Sequence, residues 1–171
     1  MSTGPPPPEF STGLPRRPAG SGTMPGMAFL LSILLSLTAT WPVADPQVTR
    51  RFDPPPQPWQ AGHRGVDLAA PPGTPVRAAV AGTVVFVGRI AGRGVVSVAH
   101  PGGLRTTYEP VSTGPLHVGD VVSAGQQLGT LAPGHPGCPS HACLHWGLRR
   151  GDDYLDPLTL LGAGRVRLLP L

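Results

Sequence analysis

The sequence predicts an all-β fold, an antiparallel β-sandwich or barrel-like domain, and two observations support that prediction. Glycine and proline each occur 24 times among the 171 residues, which disfavours long helices and favours short strands joined by tight turns. Short runs rich in Val, Thr and Tyr also recur between turn signals about every eight to twelve residues, a spacing typical of antiparallel sandwiches and barrels.

The strand-like runs lie between residues 57 and 161. In chain order they are GTPVRAAVAGTVVFVGRI, a strand pair that turns near Gly82; GVVSVAH, which alternates; LRTTYEPV; GDVVSAGQQLGTL, a strand, a turn and a strand; and ACLHWGLRR. Only DPLTLL, near Asp156, indicates a helical turn. We therefore assign the folded domain to residues 57–161 and treat residues 162–171 as a C-terminal tail.

The residues before this domain have the composition of a targeting region. Residues 1–26 are rich in Pro, Gly and Ser and are predicted to be disordered. The apolar run from Met27 to Thr40 has the length of a signal-peptide core and falls short of the ~20 residues of a membrane span. Residues 27–44 are therefore predicted to be a signal peptide with cleavage near Ala44, or an uncleaved membrane anchor, and residues 45–56 an extended Pro-rich linker.

The modest positive charge and the N-terminal segment indicate a protein of the cell envelope. The net charge is +4, and only 13% of the residues are charged. The sequence has no basic helix and no interleaved aromatics, which excludes a nucleic-acid binder. We expect a secreted or envelope-associated protein that is loosely attracted to an anionic surface and contacts the membrane only through its N-terminal segment.

Three residues are candidate metal ligands. The stretch GHRGVDLAA places His63 and Asp67 four residues apart, and His145 follows much later in CLHWGLRR. Histidine and aspartate are both common zinc ligands, and three ligands with one open position are typical of catalytic zinc sites. The spacing of His63 and Asp67 alone is weak evidence for a metal site, because surface His and Asp residues often lie four apart by chance.

Four segments in order resemble the lysostaphin-type (LytM-like) zinc endopeptidases that cut peptidoglycan cross-bridges. GHRGVDLAAPPGTPVRAAVAGTVVFVG is similar to the first ligand motif and hairpin of that family, and GVVSVAHPGGLRTTYEPV to its central strands. GDVVSAGQQLGTL is similar to its Gly-Asp-x-Val-x-x-Gly-Gln turn, and CLHWGLRRGDDYLDPLTLL to its last motif, usually His-x-His. The resemblance covers roughly residues 57–161.

The resemblance implies a fold, a cofactor and a substrate. The fold is a LytM domain of the duplicated-hybrid-motif type, and the cofactor is Zn²⁺ held by His63, Asp67 and His145. His145 takes the place of the second His of His-x-His. The implied function is that of an exported zinc-dependent endopeptidase whose partner is peptidoglycan.

The sequence departs from the family at two positions. Cys143 stands where the family has the first His of His-x-His, and Pro110 where it has a His two residues after the strand tyrosine. In the family those histidines orient and deprotonate the zinc water, and proline can do neither. His141 is one substitute, if its strand extends far enough back to share a face with His145, and is otherwise a polar loop residue. Glu109 is the other, although alternation turns it away from the face of Pro110.

Two functions therefore remain open. The first is a peptidoglycan hydrolase, which the three retained ligands favour. The second is a zinc-binding but catalytically impaired domain that regulates a cell wall amidase or binds the wall, which the two missing histidines favour.

The cysteines and the other histidines receive structural interpretations. Cys138 and Cys143 are the only two cysteines, and an even, closely spaced pair in an exported chain predicts a disulfide. The alternative is ligation of zinc by the Cys143 thiolate, which would close the site. The remaining histidines, at positions 100, 117 and 135, are predicted to be non-catalytic, and Trp146 is predicted to pack in the core.

Overall fold

The computed structural model describes residues 1, 4, 38–57 and 59–162. The chain separates into two compact units, Met1–Leu34 and Leu35–Leu171, and only residues 1 and 4 of the first are described. The leader predicted for residues 1–26, most of the signal or anchor segment at 27–44 and the tail beyond residue 162 lie outside the described residues. Nowhere in the described ranges is there a helix long and apolar enough to cross a membrane.

The second unit is built from short strands, as the turn spacing predicted. Its described residues form two 3₁₀ helices, Pro101–Gly103 and Pro157–Leu161. They also form eleven strands: β1 (Gln47–Arg50), β2 (Gly65–Ala69), β3 (Pro75–Arg77), β4 (Gly82–Ile90), β5 (Arg93–Ala99), β6 (Leu104–Glu109), β7 (Val111–Ser112), β8 (Val121–Val122), β9 (Gln127–Leu131), β10 (Cys143–Arg150) and β11 (Asp153–Leu155).

These strands form two sheets in which every pairing is antiparallel. The larger sheet has the order β1-β2-β10-β6-β5-β4-β8, with β11 paired to the end of β10, and the smaller sheet has the order β3-β9-β7. Buried residues of both sheets belong to one hydrophobic core. The prediction of an all-β antiparallel domain is confirmed.

Alternation along β10 separates a core face from a second, outward face. Trp146 is fully buried, and its ring centroid lies 6.4 Å from that of Trp41. Tyr108 lies opposite Trp146 in β6, is also fully buried, and accepts a hydrogen bond from the Ala79 N–H at 2.8 Å. Burial raises the pKa of Tyr108 to about 12. Because neighbouring residues on a strand point to opposite faces, His145 projects away from this core.

The folded unit begins before residue 57, the boundary predicted from the sequence. β1 pairs with β2, so the segment predicted as a linker contributes an edge strand to the larger sheet. Further upstream, Val43 is only 1% exposed, and the Thr40 N–H donates to the Ala79 carbonyl at 2.8 Å. The correction has a physical reason: the β-branched Val48 and Thr49 suit a strand and cover an edge of β2 that would otherwise be unpaired.

His100 is a buried polar residue held by two hydrogen bonds. It is 7% exposed at the end of β5, where Nδ1 contacts the Ala81 carbonyl at 2.8 Å and Nε2 contacts Thr106 Oγ1 at 2.7 Å. Burial lowers the pKa of His100, although the hydrogen bond to the Ala81 carbonyl acts in the opposite direction. The fold therefore favours the neutral imidazole.

This preference predicts a dependence of stability on pH. Because the pKa of His100 is lower in the folded chain than in the unfolded chain, the unfolded chain takes up the proton first as the pH falls below about 6.5. Stability from neutral His100 is thus present above that pH and lost below it. We expect the free energy of unfolding, measured with urea in the presence of a chelator, to fall less steeply between pH 7.5 and 5.5 in His100→Gln than in the wild type. The same slope in both proteins would contradict this account, and His117→Gln, at an exposed loop position, is the control.

Candidate metal centre

The pairing of β2 with β10 brings two of the predicted ligands together. Asp67 lies directly opposite His145 in this antiparallel ladder, and opposite residues project to the same face with Cβ atoms about 4.5–5.5 Å apart. A slip of one residue would turn one of the two side chains to the other face. The register between strands far apart in sequence therefore determines the contact.

The third predicted ligand completes a compact set of donor atoms. His63 Nε2 lies 2.9 Å from Asp67 Oδ1 and 3.2 Å from His145 Nδ1, and His145 Nδ1 lies 2.8 Å from Asp67 Oδ1. Within the described part of the chain, these three residues form the group of possible metal ligands whose donor atoms are mutually close. Tetrahedral ligands at 2.0–2.2 Å from zinc are about 3.3–3.6 Å apart, so small outward movements would admit the ion.

His63 is held by its backbone and by its second ring nitrogen. Its N–H donates to the Asp53 carbonyl at 2.7 Å, and the Asp53 N–H donates to the His63 carbonyl at 2.9 Å. His63 Nδ1 lies 2.7 Å from the Arg51 carbonyl oxygen. Because a carbonyl only accepts, Nδ1 must donate, which leaves the Nε2 lone pair directed at the other two ligands. Metal-ligating histidines are usually oriented in this way.

The surroundings of Asp67 favour the ionised form of its carboxyl group. It is 1% exposed, and burial alone would raise the pKa of its carboxyl. The hydrogen bond from His145 and the charges of His135, His63 and His145 outweigh burial, so the pKa of Asp67 lies below its ordinary value. A metal-ligating carboxylate must be ionised, and the surrounding histidines favour that state. These residues fit zinc in both donor type and charge.

Gly65 provides the space that the His145 ring occupies. A Cβ atom at this position would lie 2.6 Å from the Trp146 carbonyl oxygen and 2.7 Å from His145 Nε2. Both distances are shorter than a non-bonded contact allows, and the first involves backbone that cannot move aside. The glycine between His63 and Asp67 in the first motif is therefore needed for the ring of the third ligand.

Comparison with known proteins agrees with this geometry. Residues 61–157 match peptidase family M23. The chain belongs to this family. An uncharacterized protein of Mycobacterium tuberculosis is 55% identical over 136 residues, which are 77% of this chain and 54% of that protein. The chain thus spans about half the length of this relative.

Solved structures of M23-like proteins share the fold. The solution structure of lysostaphin has a TM-score of 0.59 at 26% identity, covering 78% of this chain and 57% of that chain. SpoIIQ in complex with SpoIIIAH has a TM-score of 0.60 at 25% identity, covering 71% of this chain and 98% of the matched chain. The resemblance to lysostaphin-type proteins, inferred from the motifs, is confirmed.

Cys143 and Pro110 stand at the two positions where the sequence was expected to depart from the family motifs. Cys143 forms a disulfide with Cys138, with a Cα–Cα distance of 5.7 Å, so the thiolate ligand considered as an alternative is not present. Pro110 is buried and lines a groove of about 660 Å³ together with Pro133 and Gly134. Pro110 therefore adjoins the loop that follows β9, and its carbonyl accepts a hydrogen bond from the Ala132 N–H at 3.1 Å.

The two candidate substitutes lie in different places. His141 is exposed in the loop before β10, since that strand begins only at Cys143, and it lines a depression beside Pro71 and Pro72. The structure does not bring it to the ligands. Glu109, in contrast, lies directly opposite His145 in the pairing of β6 with β10. Its side chain accordingly shares the face of His145.

His135 is a residue of the site that sequence reasoning missed. It was predicted to be an ordinary loop residue, yet its Nε2 lies 3.5 Å from Asp67 Oδ1 and its side chain is only 11% exposed. Its ring stacks on that of His145, with centroids 5.8 Å apart and planes 18° apart. The disulfide predicted between Cys138 and Cys143 could have indicated this position, because it links the loop of His135 to the strand of His145.

A groove on the larger sheet is bordered by one of the candidate ligands, His145. It has a volume of about 480 Å³, and we call it the site groove. Arg64 contacts the Gln60 carbonyl at 3.1 Å, and Glu109 contacts Arg93 at 3.4 Å. Three arginines and one glutamate line the groove. Its lining includes Arg64, Ser97, Arg105, Thr107, Glu109, His145, Arg149 and Tyr154.

The geometry around Gly65 generates a prediction with a matched control. Gly65→Ala should displace the His145 ring and lower both the zinc content of the purified protein and its thermal midpoint. Gly147 lies opposite Gly65 in the same ladder, but a Cβ there would meet nothing closer than 3.6 Å. Gly147→Ala should therefore keep wild-type zinc content. Equal zinc content in the two variants, measured by atomic absorption, would show that Gly65 does not limit the site.

Proposed function

We propose that this protein is an exported, zinc-dependent peptidoglycan endopeptidase, a cell wall hydrolase. The observation that carries the proposal is the convergence of His63 Nε2, Asp67 Oδ1 and His145 Nδ1, 2.8–3.2 Å apart, at one side of the site groove. Two nitrogens and one carboxylate oxygen, with a fourth position open, are the donor set of a catalytic zinc site.

The chain's own residues would hold the ion and leave one position for reactants. Zinc bound by three protein ligands lowers the pKa of a water molecule to about 7 and polarises a carbonyl group. His63 is kept in one tautomer by the Arg51 carbonyl, and Asp67 is kept ionised by its histidine neighbours. His145 is positioned by the ladder between β2 and β10. Small outward movements of the three side chains would bring their donor atoms to the separation that zinc requires.

The site groove suits a peptide that carries carboxylates. Arg64, Arg105 and Arg149 line it, and guanidinium groups bind carboxylates through paired hydrogen bonds. The peptides of peptidoglycan carry such groups. We propose that Glu109, on the face of His145, accepts hydrogen bonds from the amides of the bound peptide near the bond to be cut.

Export is supported by two features of the chain. The apolar run from Met27 to Thr40 has the length and basic flank of a signal peptide. The disulfide between Cys138 and Cys143 suits an oxidising compartment outside the cytoplasm. We therefore propose a secreted or envelope-associated location, with any membrane contact made by the N-terminal segment.

A second function is favoured by the absence of histidine at positions 110 and 143. A domain that binds zinc without efficient hydrolysis would bind the wall or regulate a cell wall amidase. The structural similarity to SpoIIQ in complex with SpoIIIAH shows that this fold also occurs in a protein–protein assembly. Zinc binding is common to both functions, whereas wall hydrolysis separates them.

The deciding experiment measures zinc and hydrolysis together. We expect the wild type to bind one zinc per chain and to release dye from labelled cell walls, and His145→Ala to lose both, because only two protein ligands would remain. His117→Ala, at an exposed loop position, should behave as the wild type. Retention of zinc with unchanged affinity in His145→Ala would contradict the metal assignment. Zinc without dye release in the wild type would support the regulatory function instead.

A further inference from the structure

His135 lies against the metal ligands without being one of them. Its Nε2 is 3.5 Å from Asp67 Oδ1, and its ring lies over that of His145. It is nevertheless outside the mutually close group that His63, Asp67 and His145 form among the described residues. Its position is therefore beside the site, next to the donor atom that all three histidines approach.

The partners of the ring nitrogens distinguish His135 from a ligand. His63 Nδ1 is held by the Arg51 carbonyl, the arrangement usual for a metal-binding histidine. His135 Nδ1 is buried and has no hydrogen-bond partner among the described residues. A buried polar atom without a partner calls for an explanation, and a role in binding or catalysis is one. With Nδ1 unconstrained, Nε2 can either donate or accept.

The loop is built to hold His135 in this place. Gly134 and Gly137, on either side of His135 and Pro136, have φ values of 96° and 78°, a region that favours glycine. The Cys138 N–H donates to the His135 carbonyl at 3.3 Å and closes the turn. The disulfide then fastens the turn to Cys143, two residues before His145 on the same strand.

The disulfide provides a structural reason for cysteine at position 143. A histidine there could not form the disulfide, and the loop that carries His135 would lose its covalent link to β10. The chain thus has no histidine at position 143 of β10 and has one, His135, on the disulfide-bonded loop. The groove beside Pro110 is bordered by Gly134, the residue before His135, so the loop also lies next to the second position that lacks a histidine.

We propose that His135 is a catalytic residue of the zinc site, whose Nε2 hydrogen-bonds the oxygen atom of water or of a peptide carbonyl that enters the open position beside Asp67. It takes a role that the residues at positions 110 and 143 cannot perform. The inference rests on the metal site proposed above, but it does not depend on which bond the protein cuts.

The test uses the full chain loaded with Co²⁺ and acetohydroxamate as an oxygen-donor probe. Titration of the probe, followed by the visible absorption of Co²⁺, gives its Kd for the wild type, His135→Ala, His135→Gln and His141→Ala. His141 is the control because it is exposed in the same loop and away from the ligands. Metal content and thermal midpoint are measured for each protein.

We expect every variant to retain one metal ion per chain and a thermal midpoint close to that of the wild type. The Kd of acetohydroxamate should rise about tenfold in His135→Ala, as loss of a hydrogen bond to a charged group predicts, recover in part in His135→Gln, and stay unchanged in His141→Ala. Where the wild type releases dye from walls, His135→Ala should do so at least ~100-fold more slowly.

Three results would overturn the inference. An unchanged Kd in His135→Ala would show that Nε2 does not contact the probe. Loss of metal from His135→Ala would make His135 a ligand instead. An equal effect in His141→Ala would assign the change to the loop as a whole. A wild type that binds no metal would refute the proposed metal site itself, whereas a wild type that binds metal and probe without cleaving walls would refute only the hydrolase function.

Discussion

The site depends on the register between β2 and β10, which sets Asp67 opposite His145. The side-chain period of a strand is two, so a slip of one residue would place a ligand in the core and a core residue in the groove. The hydrophobic core stabilises this register, because Trp146 is fully buried on one face of β10. Strand alternation places the neighbouring His145 on the opposite face, toward the site. The pairing of β2 with β10 therefore determines both the packing of Trp146 and the position of the candidate ligands.

Gly65 and His63 complete the centre around the ladder between β2 and β10. Gly65 leaves room for the His145 ring, and the contact of His63 with the Arg51 carbonyl selects the tautomer that can bind a metal. Both constraints come from the backbone, which makes the site rigid. His135 differs, because it lies on a loop held by two glycines and a disulfide.

The sequence predicted those features that depend on local pattern. Turn spacing predicted the antiparallel strands, and the resemblance of four ordered segments to a known family indicated His63, Asp67 and His145 as candidate ligands. It did not predict His135, since the position of a Gly- and Pro-rich loop depends on which strand it folds against. Glu109 was named as a candidate substitute from its place in the sequence. Its position opposite His145 depends on the pairing of β6 with β10, which the sequence alone does not reveal.

The most direct test is the position of the metal in a crystal of the zinc-loaded protein, located by anomalous scattering at the zinc absorption edge. We expect one strong peak per chain, about 2.0–2.2 Å from His63 Nε2, Asp67 Oδ1 and His145 Nδ1, with both sulfurs of the disulfide too distant to bind the ion. A peak coordinated by other residues, or no peak at this position in a crystal grown with excess zinc, would contradict this assignment.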